Sequence, residues 1–346
     1  MTKDSQVRYH KHINIGGKIM VVVTGGAGFI GSAFIWELNQ HGITDILVVD
    51  AIHTSDSWKN LVSLQFTDYC DKHDFLAQIK SDDAQLAPIS AIIHMGAHSA
   101  TTETNMSELY ENNTHYTKHL CEWAVKKGIY FMYASSAATY GDGTLGFSDE
   151  PKQLSQLQPI NRYGYSKHAF DLYAQQKDLI NHSVGLKFFN VFGPNEYHKK
   201  SMRSVACKAF YDIQSDQKVT LFKSHHPDYP HGGQRRDFVY VKDCTRLMWW
   251  LYQNQSVSGI FNIGTGQAHS FSELANALFN ALNQPSNIHY IDMPNDIRNQ
   301  YQYFTEAPMT QLKSKGCPVQ CRSLDEAISD YVSNYLIPGN CLNSRA

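Results

Sequence analysis

Apolar residues gather in short, largely β-branched runs, and helical periodicity fills the intervals between them. Ile19-Met20-Val21-Val22-Val23-Thr24 comes first and leads into a glycine-rich turn. Phe29, Ile30, Phe34 and Leu38 then recur at the spacing of one helix face, which predicts an amphipathic helix from about Phe29 to His41. Ile46-Leu47-Val48-Val49-Asp50 reads as a second strand buried on both faces, and Ala91 to His94 and Tyr130 to Ala134 as two more. Helical patterns at about 71–80 and 106–127 lie between them. Strand and helix alternate, so the expected architecture is α/β: a doubly wound parallel sheet of the Rossmann type, with helices on both faces.

After about residue 190 the rhythm changes. Short strands near 219–222, 237–240 and 260–263 mix with helices near 241–253, 270–283 and 323–336, punctuated by Pro194, Pro227, Pro230, Pro294 and Pro308. This part reads as a smaller, mixed α/β C-terminal lobe that binds substrate. The expected division is a flexible N-terminal extension over 1–18, a dinucleotide-binding domain over 19–190, a substrate lobe over 191–336 that interleaves with the first domain if the chain crosses back after 190, and a frayed tail over 337–346.

Composition narrows the classes. The chain has 346 residues with 30 Lys plus Arg against 32 Asp plus Glu, a balance that argues against nucleic acid or a membrane surface as a partner. No apolar run reaches the length of a membrane span, and the polar first eighteen residues carry no secretory signal. Seven scattered cysteines with no Cys-x-x-Cys spacing read as reduced thiols in a cytoplasmic protein, with no metal site.

The chemistry enters with the turn Thr24-Gly25-Gly26-Ala27-Gly28-Phe29-Ile30-Gly31. Gly25, Gly28 and Gly31 have the spacing of a dinucleotide turn, placed after a strand and before a helix whose first amides can meet a pyrophosphate. Asp50 closes the second strand, where a carboxylate binds adenosine ribose hydroxyls and favours NAD, whereas a basic neighbour such as His53, Lys59 or Lys72 would favour NADP. Further along, Tyr163 and Lys167 stand four apart at the start of a predicted helix, on one face. An ammonium beside the phenol would lower its pKa, so that it takes a proton from a substrate hydroxyl while hydride leaves. Ser136, just after the strand over Tyr130 to Ala134, is placed to hydrogen-bond the same oxygen.

Taken together, the glycine turn, Asp50, His94-Met95-Gly96-Ala97-His98, Asn112-Asn113, Ser135-Ser136, Tyr163-x-x-x-Lys167 and Phe189-Asn190-Val191-Phe192-Gly193-Pro194 resemble the extended short-chain dehydrogenase/reductase family that acts on nucleotide sugars. Arg236 to Asp243 and Phe261 to Gly266 carry the resemblance into the second lobe, so that it covers roughly residues 19 to 335. Within that family, Gly42 to Asp50, Ser135 to Gly141, Asn190 to Lys199 and Tyr301 to Thr305 look like the group of 6-epimerases acting on ADP-glycero-manno-heptose.

That resemblance implies an isomerase that converts ADP-D-glycero-β-D-manno-heptose to its L-glycero epimer, for the inner core of bacterial lipopolysaccharide. Transient oxidation at C6″ by a tightly held nicotinamide nucleotide, NADP with NAD as the alternative, would be followed by reduction from the other face. It implies two bases, matching Tyr163 and Lys199, with Lys200 beside the latter as the alternative register. It places Gly28, Phe29, Ile30, Ala51, Lys72, Met95, Gly96, Ala97, His98, Asn112 (or Asn113), Lys167 and Val191 at the cofactor. It places Asn190, Ser201, Lys208, Phe222, Arg236 and Tyr301, together with Ser136, at the substrate. It also implies a homo-oligomer, a pentamer. Three departures stand out: Ser57 where close relatives have a lysine for the 2′-phosphate, Lys208 where they have a histidine, and a longer loop over Ser224 to Arg235 expected to cover the nucleotide end of the substrate. A different epimerase or a dehydratase of the family, or a dinucleotide-binding sensor without chemistry, are the rival readings. A dehydratase needs an acid where Ala137 follows Ser136, and a sensor has no need of Tyr163 and Lys167.

Overall fold

The computed structural model describes residues 19–82, 88–100, 103–298 and 301–343, and turns the apolar runs into one seven-stranded parallel sheet. Its strands are β1 (Met20–Thr24), β2 (Ile46–Asp50), β3 (Asp68–Asp71), β4 (Ile89–His94), β5 (Tyr130–Ser136), β6 (Val184–Phe188) and, after four short strands elsewhere, β11 (Gly259–Ile263), in the order β11-β6-β5-β4-β1-β2-β3. Every residue of β1 is buried and so are Ile46 to Val49 of β2, because helices cover both faces; that is why these strands read as unbroken apolar runs. The strand order reverses at β1, which pairs with β2 on one side and β4 on the other. Beyond the carboxyl ends of these strands the loops part and leave a crevice.

The helices are α1 (Phe29–Gln40), α2 (Lys72–Ser81), α3 (Met106–Leu109), α4 (Tyr116–Lys126), α5 (Arg162–Gln176), α6 (Val205–Asp216), α7 (Val241–Gln253), α8 (Phe271–Ala281), α9 (Asn295–Arg298), α10 (Thr310–Ser314) and α11 (Leu324–Tyr331). Three two-stranded pairs complete the architecture. β7 (Asn190–Phe192) lies parallel to β10 (Phe238–Tyr240), β8 (Val219–Phe222) parallel to β13 (Ile288–Ile291), and β9 (Arg235–Arg236) antiparallel to β12 (His269–Ser270). A second apolar core, separate from that of the large sheet, joins Phe192, Phe210, Tyr240, Leu278, Ile328 and Tyr331.

Two expectations meet a different structure. The helix over 106–127 is interrupted: between α3 and α4 the backbone opens into a π-helical turn, Tyr110–His115, that holds Asn112 and Asn113. The tail beyond Pro338 is not frayed as far as residue 343. Leu342 is fully buried against Phe29, Ala33 and Val241, and its amide donates to Asn195 Oδ1 at 2.9 Å. Burial of an apolar side chain and a satisfied backbone bond hold the tail where sequence position alone suggested fraying. The chain also returns to the large sheet, through α7 and β11, after its excursion into the smaller half. The extension over 1–18 and residues 344–346 fall outside the described residues.

Candidate active site

The crevice at the sheet's switch point is a cavity of about 650 Å³. Thr24, Gly25, Asp50, Ala51, Lys72, Gly96, Ala97, His98 and Asn112 contribute to its wall, and so do His198, Lys199 and Met202 from the segment after β7. Two glycines keep its floor open. A Cβ on Gly25 would stand 2.5 Å from the Gly96 amide nitrogen, and one on Gly31 would stand 2.1 Å from the Gly25 carbonyl oxygen. Gly28 is the N-cap of α1; no side chain caps this helix and no acidic residue occupies its first turn. The amide end of α1, with Phe29 and Ile30 as its first residues, therefore offers a positive pole to a diphosphate. Asp50 braces the turn: its carboxylate accepts the Ala27 amide at 2.9 Å and the Ala51 amide at 2.7 Å, and each oxygen retains acceptor capacity for a ribose hydroxyl. These residues fit a dinucleotide.

Lys72 starts α2 directly after Asp71, the residue in register with Asp50, so its ammonium stands at the ribose end of the crevice. It donates to Asn112 Oδ1 at 2.6 Å. Asn113 does something else: buried, it accepts the His98 amide at 2.8 Å and donates to the His98 carbonyl at 3.0 Å and to Ser166 Oγ at 2.9 Å. The π-helical turn presents both asparagines inward on adjacent positions, which a regular helix would not do. Met95 continues β4, its amide bonded to the Thr24 carbonyl at 3.0 Å.

Ser136, Tyr163 and Lys167 form a second cluster where β5 meets α5. Asn161 caps α5, accepting the Gly164 amide at 2.7 Å, and so fixes the start of the helix that carries Tyr163. Burial pushes the Tyr163 phenol up, and a hydrogen bond with Ser136 pulls it back down. Lys167 is buried and donates to the Ala134 carbonyl at 2.8 Å. Desolvation lowers its ammonium to about 8, with the charge of Asp171, one turn on, acting the other way. Lys167 also faces the crevice electrically: its charge, after burial, helps hold His94 neutral, down at about 3, between Thr24 and Thr117. Asp171 and Lys187 form a fully buried ion pair behind this cluster at 3.1 Å, with Ser135 and Tyr133 donating to the same carboxylate.

Lys199 arrives from the Tyr197–Met202 segment, its Nζ 5.5 Å from the centre of the Phe29 ring. Burial holds its ammonium below the ordinary lysine value, partly offset by Glu196. Lys200, the alternative register, is exposed and takes a left-handed φ of 49°. Lys199, not Lys200, stands on the cavity wall.

Three of the predicted substrate residues, Lys208, Phe222 and Tyr301, line a second cavity of about 270 Å³ together with Gln234 and Phe271, whereas Ser136, Asn190 and Ser201 are not on its wall. Arg236 is buried beside it, its guanidinium 5.3 Å from the Tyr301 ring and 5.7 Å from the Phe271 ring. Lys208 Nζ donates to the Ser201 carbonyl at 3.4 Å. Asn190 and Val191 pair with Phe238 and Val239 in the β7–β10 ladder, and Asn190 is exposed. The loop over 224–235 packs through rings, His226 and Tyr229 each 5.2 Å from Tyr303.

Sequence reasoning missed Asp171, Lys187, Asn113's buried role and Glu196. Asp171 had a signal, its four-residue spacing from Lys167. It also missed a cluster of His98, Glu103 and Glu108, whose ligand-type atoms lie within 4.8 Å of one another at the crevice mouth. His98 pairs with both carboxylates, at 3.4 and 3.1 Å.

Residues 21–264 match the family described as the NAD dependent epimerase/dehydratase family. Over 317 residues the chain is 51% identical to the ADP-L-glycero-D-manno-heptose-6-epimerase of Nitratidesulfovibrio vulgaris, covering 92% of this chain and 98% of that one. It is 46% identical over 326 residues to the enzyme of the same name from Fusobacterium nucleatum, with the same coverage. Among solved structures, the ADP-L-glycero-D-manno-heptose-6-epimerase of Helicobacter pylori superposes with a TM-score of 0.77 at 26% identity, over 92% of this chain and 96% of that one.

Proposed function

Because the chain belongs to the NAD dependent epimerase/dehydratase family, we propose that it interconverts the D-glycero and L-glycero epimers of an ADP-linked manno-heptose at C6″. The relatives at 51% and 46% identity support the substrate. One structural observation carries the chemistry: two groups able to exchange protons, Tyr163 and Lys199, stand on separately anchored segments, the first turn of α5 and the loop after β7. Return of hydride to the other face leaves the hydroxyl on the opposite side of the carbon, and a second base there exchanges its proton without the whole sugar having to turn over to the first.

A bound nicotinamide nucleotide supplies a hydride acceptor that returns the same hydride, so no net redox occurs. The protein's own residues do the rest. The amide end of α1 and Asp50 hold the diphosphate and the ribose. Ser136 and Tyr163 hold the substrate hydroxyl, and the Lys167 charge favours the phenolate that takes its proton. Lys199 serves the opposite face, and Arg236 binds the substrate diphosphate beside Tyr301. We assign NADP as the nucleotide, on Lys72 at the ribose end; the alternative, NAD, is supported by Asp50 and by Ser57. An isolated Ala137 after Ser136 supplies no acid for elimination, which supports epimerisation over dehydration. The resemblance to heptose epimerases supports a cytoplasmic homo-oligomer, a pentamer, that feeds lipopolysaccharide inner-core synthesis.

The test is incubation of the purified protein with ADP-D-glycero-β-D-manno-heptose, followed by proton NMR. The expected result is a mixture of epimers that differ at C6″ alone. Inversion at C4″ only, or no change with NAD and NADP added, overturns the reading.

A further inference from the structure

The loop that carries Lys199 has no regular helix to hold it, yet it is fastened on both sides by buried polar groups. Asn195 takes a left-handed φ of 76°. Its Nδ2 donates to Ser32 Oγ at 2.9 Å, and its carbonyl accepts Asn60 Nδ2 at 3.0 Å, the same nitrogen that donates to the Ala27 carbonyl of the glycine turn. Glu196 follows, and its side chain is sealed from solvent at 0% exposure. Its Oε1 accepts the Gly193 amide at 3.0 Å, Ser204 Oγ at 2.8 Å and the Tyr331 hydroxyl at 3.0 Å, while Oε2 accepts the Ser204 amide. Gly193 lies before the loop, Ser204 after it, and Tyr331 belongs to the second core. One carboxylate thus ties the two ends of the Lys199 loop to each other and to the smaller half of the molecule.

Four donors converge on Glu196, and among the described residues no cation pairs with it. A buried carboxylate persists only when such donors satisfy it. Only an acceptor-only side chain takes all four, since an amide would turn a donor against Ser204 or Tyr331. That charge favours the protonated form of Lys199, half-buried on the cavity wall, whose backbone amide also donates to the Glu196 carbonyl at 3.0 Å.

We propose that Glu196 is the positioning residue for Lys199: its buried, hydrogen-bonded carboxylate fixes the loop that carries the ammonium and adds a negative charge to it, so that Lys199 serves as the proton donor and acceptor for one substrate face. This rests on the two-base reading above. The step is an ordinary proton exchange. Lys199 gives a proton to the ketone oxygen as hydride from the reduced nucleotide returns to the carbon, and in the reverse direction it takes the hydroxyl proton as hydride leaves.

The experiment measures reduction of the bound cofactor in a single turnover, started separately from the D-glycero and the L-glycero epimer. Each direction uses a different group as its first base. Lys199→Met is expected to slow one epimer roughly a hundredfold and spare the other. Glu196→Gln is expected to slow that same epimer about tenfold and leave the other within about twofold. Tyr331→Phe keeps the carboxylate and removes one donor, so it gives the same selectivity at about threefold and decides the matter if Glu196→Gln does not fold. If Lys199→Met is selective while Glu196→Gln or, in its place, Tyr331→Phe slows both epimers alike, the role of Glu196 is overturned and that of Lys199 stands. If Lys199→Met is itself unselective, the two-base reading falls and the Glu196 assignment with it.

Discussion

Lys167 shows how far burial alone can move a functional group. Its ammonium, lowered to about 8 by desolvation, is charged below that pH and loses its proton as pH rises through it. Tyr163 in the proposed reaction acts once deprotonated, yet burial holds its phenol above the ordinary value, so Lys167 loses its proton first. The form that holds phenolate and ammonium together is therefore a minority at every pH, and oxidation of the sugar is expected to rise up to about pH 8, level off, and fall only where the phenol itself ionises. Lys167→Met removes the charge at every pH, so the ascending limb shifts to higher pH and the rate at neutral pH drops by about a hundredfold or more. The pH–rate profile of the single-turnover oxidation reads both effects; an unmoved limb contradicts the assigned role. The Tyr163–Lys167 pair was legible because helical periodicity puts both on one face. Glu196 was not, because its partners Gly193, Ser204 and Tyr331 come from three places that only the folded chain brings together.

At the scale of elements, the glycine turn is the most demanding piece of local structure. The approach of Gly31 to the Gly25 carbonyl leaves no room for a methyl group: a Cβ 2.1 Å from that oxygen must push α1 away from β1. Gly31→Ala is expected to cost about 1–3 kcal/mol of stability and to weaken dinucleotide binding by at least about tenfold, because the amide end of α1 is displaced from the crevice. Thermal unfolding and fluorescence titration with NADP and NAD check the two halves of this expectation. Retained affinity would mean that the turn does not hold the diphosphate. The turn, β1, β2, β4 and β5 were legible as double-sided apolar runs. β3 was not, since its residues Asp68 to Asp71 form a polar edge strand, and β6 was not, since Gly185 and the buried Lys187 interrupt its apolar run. The π-helical turn at Asn112 and Asn113 was not legible, because the polar run Glu111 to Thr114 carries no apolar positions whose spacing could register the extra residue.

The whole molecule sets the site between two apolar cores, one under the large sheet and one in the smaller half, and the Lys199 loop spans the boundary. Sequence pattern gave the α/β class and the parallel order of the early strands. The return of β11 to the sheet and the docking of the tail through Leu342 depend on long-range packing that no local window contains. The central claim of the proposed function is that this arrangement holds one carbon between two proton-exchanging groups, Tyr163 and Lys199, and a dinucleotide. The direct measurement is epimerisation of ADP-D-glycero-β-D-manno-heptose by the purified protein in heavy water, without added cofactor, followed by NMR at C6″. Inversion at C6″ with the carbon-bound hydrogen retained is the predicted result, since a hydride removed and returned never meets solvent. Deuterium at C6″, or a failure to invert it, would contradict the account.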